Sequence, residues 1–410
     1  MRTIPATIEE LIITPEFIDN PYPLLRRLRE EEPVYWSDAI GGWILTSYGD
    51  ILASFKDTAH FSNENRLGKA VAYLTSEKRA DYKPFLEHWA TKSLLHSDPP
   101  DHTRMRTLVT RELTAKVVEQ MKPRIQETVD GLIDAAQAKG RMDVVSELAS
   151  PLPISVIAQI LGVPRSDRHF FRKWADAILS FQGSNKPSEE DLLRAQETIV
   201  EMRPYIRQMI EDRRRNPQED LISKFAAAEA EGGRISEPEL ISTCGTLFIA
   251  GQETTISLIS NTIYTLLTHP DQLELLRRNP DLLASTIEES LRYESPIPRQ
   301  PRVMKGDAEL RGKKLKKGEM VFQMLNAGNR DPALFPNPDK FDIRRENNRH
   351  IAFGYGIHFC VGAVLARAEA FIAVGTAIKR LPGLRLVDQK ADWDLEKRNS
   401  RVLKTLKVQF

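Results

Sequence analysis

The residues of this chain whose types and spacing can do chemistry lie in a few short segments. In Phe353-Gly354-Tyr355-Gly356-Ile357-His358-Phe359-Cys360-Val361-Gly362, two glycines stand two apart and a cysteine directly precedes a run of helix formers. Glycine allows backbone angles closed to other residues and lets the chain approach a flat ligand. A cysteine at a helix N-terminus meets unpaired amides and a favourable dipole, which lower its pKa and suit a thiolate metal ligand. Taken alone, such a cysteine is more readily a small buried hydrophobe in a Gly-rich turn. Ala250-Gly251-Gln252-Glu253-Thr254-Thr255 sets a carboxylic acid beside a hydroxyl, a pair able to relay protons to a bound oxygen species. Taken alone, it is more readily a threonine bonded back to a carbonyl one turn earlier and a glutamate in an ion pair. Glu289 and Arg292 share a helix face, and such a pair is usually a solvated contact worth about 0.2–0.5 kcal/mol. His102 and Arg106 also share a face; they, Arg302 and His358 read singly as ordinary surface charges.

These segments need elements to hold them. Leu240 to Leu267 is the most apolar stretch, with Gln252, Glu253, Thr254 and Thr255 at its centre. An ionisable group at the middle of a membrane span is costly, so this predicts a buried helix of a soluble protein. Leu247, Gly251, Thr254 and Leu258 fall on one face of it, and glycine there would admit a flat cofactor. Helical patterns dominate from Asp98-Pro99-Pro100-Asp101 to about Arg292, with breaks at Gly140, Pro151, Pro164, Gly183 to Pro187, Pro217 and Gly232-Gly233. Pro33 to Thr46 predicts a hairpin turning at Gly41-Gly42. Phe61 to Ser97 predicts loop with one short helix. After Pro296 come short β-like pieces such as Met320-Val321-Phe322, then irregular chain over 330–348, then a helix from near Val361 to Pro382. The fold class is therefore mainly α with a small β region, and no linker or repeat divides the 410 residues.

Composition narrows the function. Lys and Arg number 58 against 57 Asp and Glu, so net charge draws the chain to neither nucleic acid nor membrane. With two cysteines, Cys244 and Cys360, a disulfide scaffold is excluded and a reducing, cytoplasmic setting is expected. The N-terminal residues lack a basic segment followed by an apolar core, so no signal peptide is predicted. No Gly-x-Gly-x-x-Gly follows a strand and no cysteine cluster is present, so electrons for redox chemistry would come from outside.

With all these motifs in this order, from about Asn20 to the C-terminus, the chain resembles the soluble bacterial cytochrome P-450 family. Phe353, Gly354, Gly356, His358, Cys360 and Gly362 match that family's haem-binding signature. The resemblance implies a haem-thiolate monooxygenase on the P-450 fold. Its haem b would be buried between the acid-alcohol helix and the cysteine loop, with Cys360 as iron ligand. It implies proton relay by Glu253 and Thr254, and cofactor contacts from Gly251, Phe353 and Gly354. The two propionates would be anchored by His102, Arg106, Arg302 and His358. Glu289 and Arg292 would form a buried structural pair, with Arg345 rather than Lys340 as third member. Substrate would meet Leu247, Phe248, Ile297 and Arg299, together with the 61–95, 181–187 and 398–402 segments. A medium-sized lipophile is expected, of terpenoid, fatty acid, steroid or polyketide class. Partners would be dioxygen and a ferredoxin or flavodoxin with its NAD(P)H-dependent reductase. Arg104, Arg111, Lys116, Arg344, Arg345 and Arg349 are candidates for a docking patch, and equally for ordinary solvated charge. A monomer is expected. A peroxygenase or rearrangement enzyme on the same fold would generally lack the acid-alcohol pair, and a haem sensor would not need it.

Overall fold

The computed structural model describes residues 7–66, 68, 71–183, 187–230, 235–388, 390–397 and 399–410. The central element is α6 (Glu237–Thr268), a helix buried on most of its surface. A capping box at Ser236 and Glu239 starts it, and Pro238 sits in its first turn, where no amide partner is lost. Around it pack α3 (Pro151–Ile160), α4 (Arg168–Gly183), α5 (Glu189–Arg215), α7 (Leu283–Tyr293) and α8 (Ala363–Arg380). On α6, Leu258, Ile259, Ile263 and Leu266 enter the core shared with α8, whereas Leu240, Ile241, Cys244 and Phe248 enter the core shared with α4 and α5. Each such fully buried aliphatic side chain contributes roughly 1.5–3 kcal/mol through removal from water. α2 (Ala115–Gln137) covers the far face of α8.

α1 (Asp101–Glu112) begins where expected, directly after Pro99-Pro100. α8 falls within the expected helix, and residues 330–348 form turns without regular structure. The 61–97 segment differs from expectation: its described residues include the two helices Ser76–Asp81 and Lys83–Ala90, more than the one expected. Thr75 caps the first and Pro84 opens the second; the mixed surface polarity of both conceals a helical period. The break expected at Gly232-Gly233 lies outside the described residues, as do 184–186 and Arg398.

The main sheet joins the two ends of the chain. β1 (Val34–Ser37) and β2 (Gly42–Leu45) form the expected hairpin, with Gly41 at φ +67° in the turn. β3 (Phe61–Ser62), β4 (Gln300–Met304) and β5 (Met320–Gln323) complete the order β1-β2-β5-β4-β3. The β2–β5 pair is parallel, with Ile44 opposite Phe322, and the others are antiparallel. This sheet delivers Arg302 to the site. A smaller hairpin, β6 (Asp392–Trp393) with β7 (Leu403–Thr405), presents the 394–400 turn toward α4 and α6. Among the described residues no helix is long and apolar enough to cross a membrane.

Candidate active site

The cysteine loop is shaped by its glycines. Gly354 and Gly356 lie at φ +70° and +71°, a region that L side chains rarely enter. A Cβ on Gly356 would also stand 2.9 Å from the Phe55 carbonyl oxygen, so no larger residue fits there. The Cys360 amide donates to the Phe353 carbonyl at 2.9 Å, closing the loop immediately before α8. Behind it, Arg367 stacks over the Phe353 ring at 4.5 Å and bonds Glu288 at 2.6 and 2.8 Å. Burial would raise the Glu288 carboxyl, but bonds from Arg367 and His350 outweigh it and hold the group down to about 2.

Cys360 itself retains solvent contact. Crowding by the surrounding protein nevertheless pushes its thiol above the ordinary range, against the Gly362 amide and the charges of Arg106 and Arg367. The expected lowering is thus corrected. The helix terminus and cations are in place, but desolvation outweighs them.

Four predicted anchors converge beside this loop. The His102 and His358 rings lie 4.1 Å apart. Both nitrogens of His102, and Nε2 of His358, are buried without a hydrogen-bond partner. Desolvation first, then neighbouring cations, pushes His102 down to about 4 and His358 to about 2. Arg302 is buried; its guanidinium donates to its neighbour's carbonyl at 2.9 Å and to Gln300 Oε1 at 3.2 Å. Burial and the charge of Arg66 lower it to about 9. Arg106 is half-buried and close enough to Cys360 for their charges to interact. Arg66 is a fifth member that sequence reading missed. It reaches the Asn63 carbonyl and the His96 ring, and its charge is felt at both Arg302 and His358. Asp98, whose charge reaches Arg66, His102 and Arg302, is already engaged by Ser62, the Asn63 amide and Lys305. A cradle of three guanidiniums and two partnerless imidazoles calls for a group with several anionic oxygens. Together with a lone thiol at a helix start, this donor set fits haem.

On α6, Ala250 is exposed and Thr254 partly so, although the helix is otherwise largely buried. Thr254 Oγ1 donates to the Ala250 carbonyl at 2.9 Å. Glu253 is buried; its Oε2 takes the ammonium of Lys397, and its Oε1 has no partner. Both local alternatives weighed for this pair, the back-bond and the ion pair, are therefore present. They leave one carboxylate oxygen, and the acceptor lone pairs of the hydroxyl, unspent. A Cβ on Gly251 would stand 3.5 Å from Ile157 of α3, an ordinary contact distance.

Glu289 and Arg292 are wholly buried and bonded twice at 2.8 Å. Arg345 Nε reaches the two carboxylate oxygens of Glu289 at 3.1 and 3.0 Å. Lys340 contributes only its carbonyl, to Arg292 and Arg345. The remaining capacity of Glu289 goes to the Asp342 amide and Asn348, and of Arg292 to the carbonyls of Asn329 and Pro338. This knot pins the irregular 330–348 chain that leads into the cysteine loop.

The pocket residues divide. Phe248 is core, its ring 4.0 Å from that of Phe171, and Leu247 is buried in the same cluster. Ile297 packs on the sheet cluster. Arg299 lies over the Phe322 ring, bonds Asn399 at 2.8 Å, and lines a cavity of about 190 Å³ with Met324, Asn326, Trp393 and Lys397. The proposed docking patch loses two members: Arg345 is buried against Glu289, and Arg104 is bonded to Glu239 at 2.6 Å and Asp101 at 3.0 Å. Arg111, Lys116, Arg344 and Arg349 are exposed. Lys397 carried no sequence signal, since nothing in a charged C-terminal stretch marks it as a partner of residue 253.

Known proteins resemble this chain along most of its length. The family described as Cytochrome P-450 matches residues 67–410. The Biotin biosynthesis cytochrome P-450 of Bacillus subtilis is 40% identical over 387 residues, covering 93% of this chain and 94% of that protein. The Cytochrome P-450 monooxygenase PikC of Streptomyces venezuelae is 41% identical, covering 90% and 86%. A crystal structure of the cytochrome P-450 BioI, in complex with acyl carrier protein ligated to hexadec-9Z-enoic acid, superposes with a TM-score of 0.89 at 38% identity. It covers 96% of this chain and 99% of that one. A cysteine loop, a cationic cradle and an acid-alcohol helix thus coincide with likeness along nearly the whole sequence, and the chain belongs to the cytochrome P-450 family of monooxygenases.

Proposed function

We propose that the chain holds haem b through Cys360 and uses it to insert one atom of dioxygen into a medium-sized lipophilic substrate, by hydroxylation or epoxidation. Bound there, the haem supplies oxygen activation and the oxidation of C–H or C=C bonds. The protein's own contribution is ligation by the Cys360 sulfur, with the Gly362 amide and Arg106 to support its negative charge. His102, Arg106, Arg302 and His358, with Arg66, would hold the propionates. Glu253 and Thr254 would pass protons inward through the unspent Oε1 and the Thr254 hydroxyl. Terpenoid, fatty acid, steroid and polyketide skeletons all fit the class, and the acyl chain on the BioI partner protein supports the fatty acid member of it. A separate ferredoxin or flavodoxin with an NAD(P)H-dependent reductase would bring electrons. The chain would act in the cytoplasm, as one domain and as a monomer.

The single observation that carries this reading is the set of buried and half-buried imidazoles and guanidiniums beside one cysteine, with three imidazole nitrogens lacking partners. The test is the difference spectrum of dithionite-reduced, haem-supplied protein with and without carbon monoxide. A strongly red-shifted Soret band is expected, and it should vanish in Cys360→Ala. Protein that takes up no haem would overturn the proposal.

A further inference from the structure

The partner of the relay acid comes from the far end of the sequence. Lys397 lies in the turn between β6 and β7, which Asp394 builds: its amide bonds the Val402 carbonyl at 2.8 Å, and its side chain accepts from the Glu396 amide at 3.2 Å. From there the ammonium bonds Glu253 Oε2 on α6 and reaches Asp176 Oδ1 on α4 at 3.4 Å. Asn399, in the same turn, bonds the Gln182 carbonyl at the end of α4. The turn is therefore fastened across both helices, with its one described ammonium on the acid. Glu253 is 5% exposed and Asp176 is largely in solvent, so the lysine stands between a buried carboxylate and a wet one.

A buried carboxylate without a cation takes up a proton or turns toward water. With one oxygen spent on an ammonium, it keeps its direction, and the other oxygen is left to handle protons. That division is present here: Oε2 is paired and Oε1 is buried and partnerless. Lys397 also lines the cavity of about 190 Å³ that Arg299 and Asn326 line.

We infer that Lys397 is the positioning residue for Glu253: by holding Oε2 it fixes the direction of the carboxylate and aims Oε1 for proton transfer. The inference rests on the relay role proposed for Glu253. Desolvation works against the lysine's charge, but Glu253, then Asp176 and Asp394, raise it overall, so it stays a cation through the neutral range.

The test compares Lys397→Met, Lys397→Arg, Glu253→Gln and the Lys397→Met/Glu253→Gln double variant. All are haem-supplied and reduced by a surrogate ferredoxin and its reductase, with dioxygen consumption followed in H₂O and D₂O. Lys397→Met should slow consumption by about tenfold, a fraction of what a general acid contributes, and raise the solvent isotope effect. Lys397→Arg should restore at least half of the rate. On the Glu253→Gln background, Lys397→Met should add less than a twofold loss. A second readout needs no turnover: Lys397→Met should melt below wild type, and the double variant should regain part of that loss, because the stranded carboxylate is gone. Wild-type behaviour of Lys397→Met, beside an impaired Glu253→Gln, overturns this inference and leaves the relay standing. A slow Lys397→Met with an unchanged isotope effect and no rescue by arginine marks a merely structural lysine and overturns it too. A wild-type Glu253→Gln would sink the relay reading and this inference with it. Should Lys397→Met not fold, Lys397→Gln takes its place under the same criteria.

Discussion

At the scale of single residues, the site is a set of side chains held in states they would not choose in water. His102 in the cradle and, away from it, His88 in the Lys83–Ala90 helix are each pushed from an ordinary 6.5 to about 4, chiefly by desolvation. The folded protein therefore binds fewer protons than the unfolded chain between these values. Stability is full above pH 6.5 and falls as pH drops through that window. Urea midpoints of the haem-free protein at pH 7 and pH 5 should show the fall, and His102→Asn should make it shallower; equal midpoints would refute it. Thr254 poses a different question, because its hydroxyl already has the Ala250 carbonyl as a partner. Thr254→Ala should fold normally, since the lost bond is worth only about 1 kcal/mol, yet divert reducing equivalents to peroxide. Peroxide released per NAD(P)H consumed is the quantity to compare, and an unchanged ratio would remove the residue from the relay.

At the scale of elements, the informative feature is what fastens irregular chain to regular helices. Residues 330–348 carry only turn hydrogen bonds of their own, and the carbonyls of Pro336, Asn337, Pro338 and Lys340 go to Arg292 and Arg345. Because Glu289 and Arg292 are both wholly buried, deleting one strands the other's charge. Arg292→Ala or Glu289→Ala should cost about 3–5 kcal/mol and yield little folded protein, as measured by urea unfolding and soluble recovery. Arg345→Lys keeps the charge but loses the planar fork, and its cost should be smaller. A surface pair at the same spacing would show none of this, so a loss near 0.5 kcal/mol would place the pair in solvent.

At the scale of the whole molecule, the fold brings Arg66, His102 with Arg106, Arg302, and His358 with Cys360 together from four regions of the sequence, while the net charge is +1. Long-range attraction of an acidic electron carrier must then come from local patches. Arg344 and Arg349 are exposed on the segment that leads into the cysteine loop. The Arg344→Glu/Arg349→Glu variant should be reduced several-fold more slowly by a ferredoxin at low ionic strength. The difference should shrink toward 0.5 M salt, where the Debye length falls to roughly 4 Å. Stopped-flow reduction rates across a salt series decide it; parallel salt curves for variant and wild type would place the carrier elsewhere.

The sequence by itself determined what local pattern controls. Apolar periodicity marked α6 as a buried helix, Pro99-Pro100 marked the start of α1, and the Gly354 and Gly356 spacing marked a loop that closes on a cysteine. Period and turn chemistry are properties of neighbours in the chain. The choice of Arg345 over Lys340 also came from the sequence, by resemblance, and the geometry supplies its reason: only a guanidinium can bridge a carboxylate and three carbonyls at once. Tertiary structure alone decided the rest. It set Lys397 on Glu253 and Arg66 beside Arg302 and His358, pairings between segments that share no pattern. It filled the space around Phe248 with Phe171, because helix packing fixes which side of a residue faces a neighbour. It also reversed the expected shift of Cys360, since desolvation depends on how much protein surrounds the sulfur, and no spacing of residues along a chain encodes that quantity.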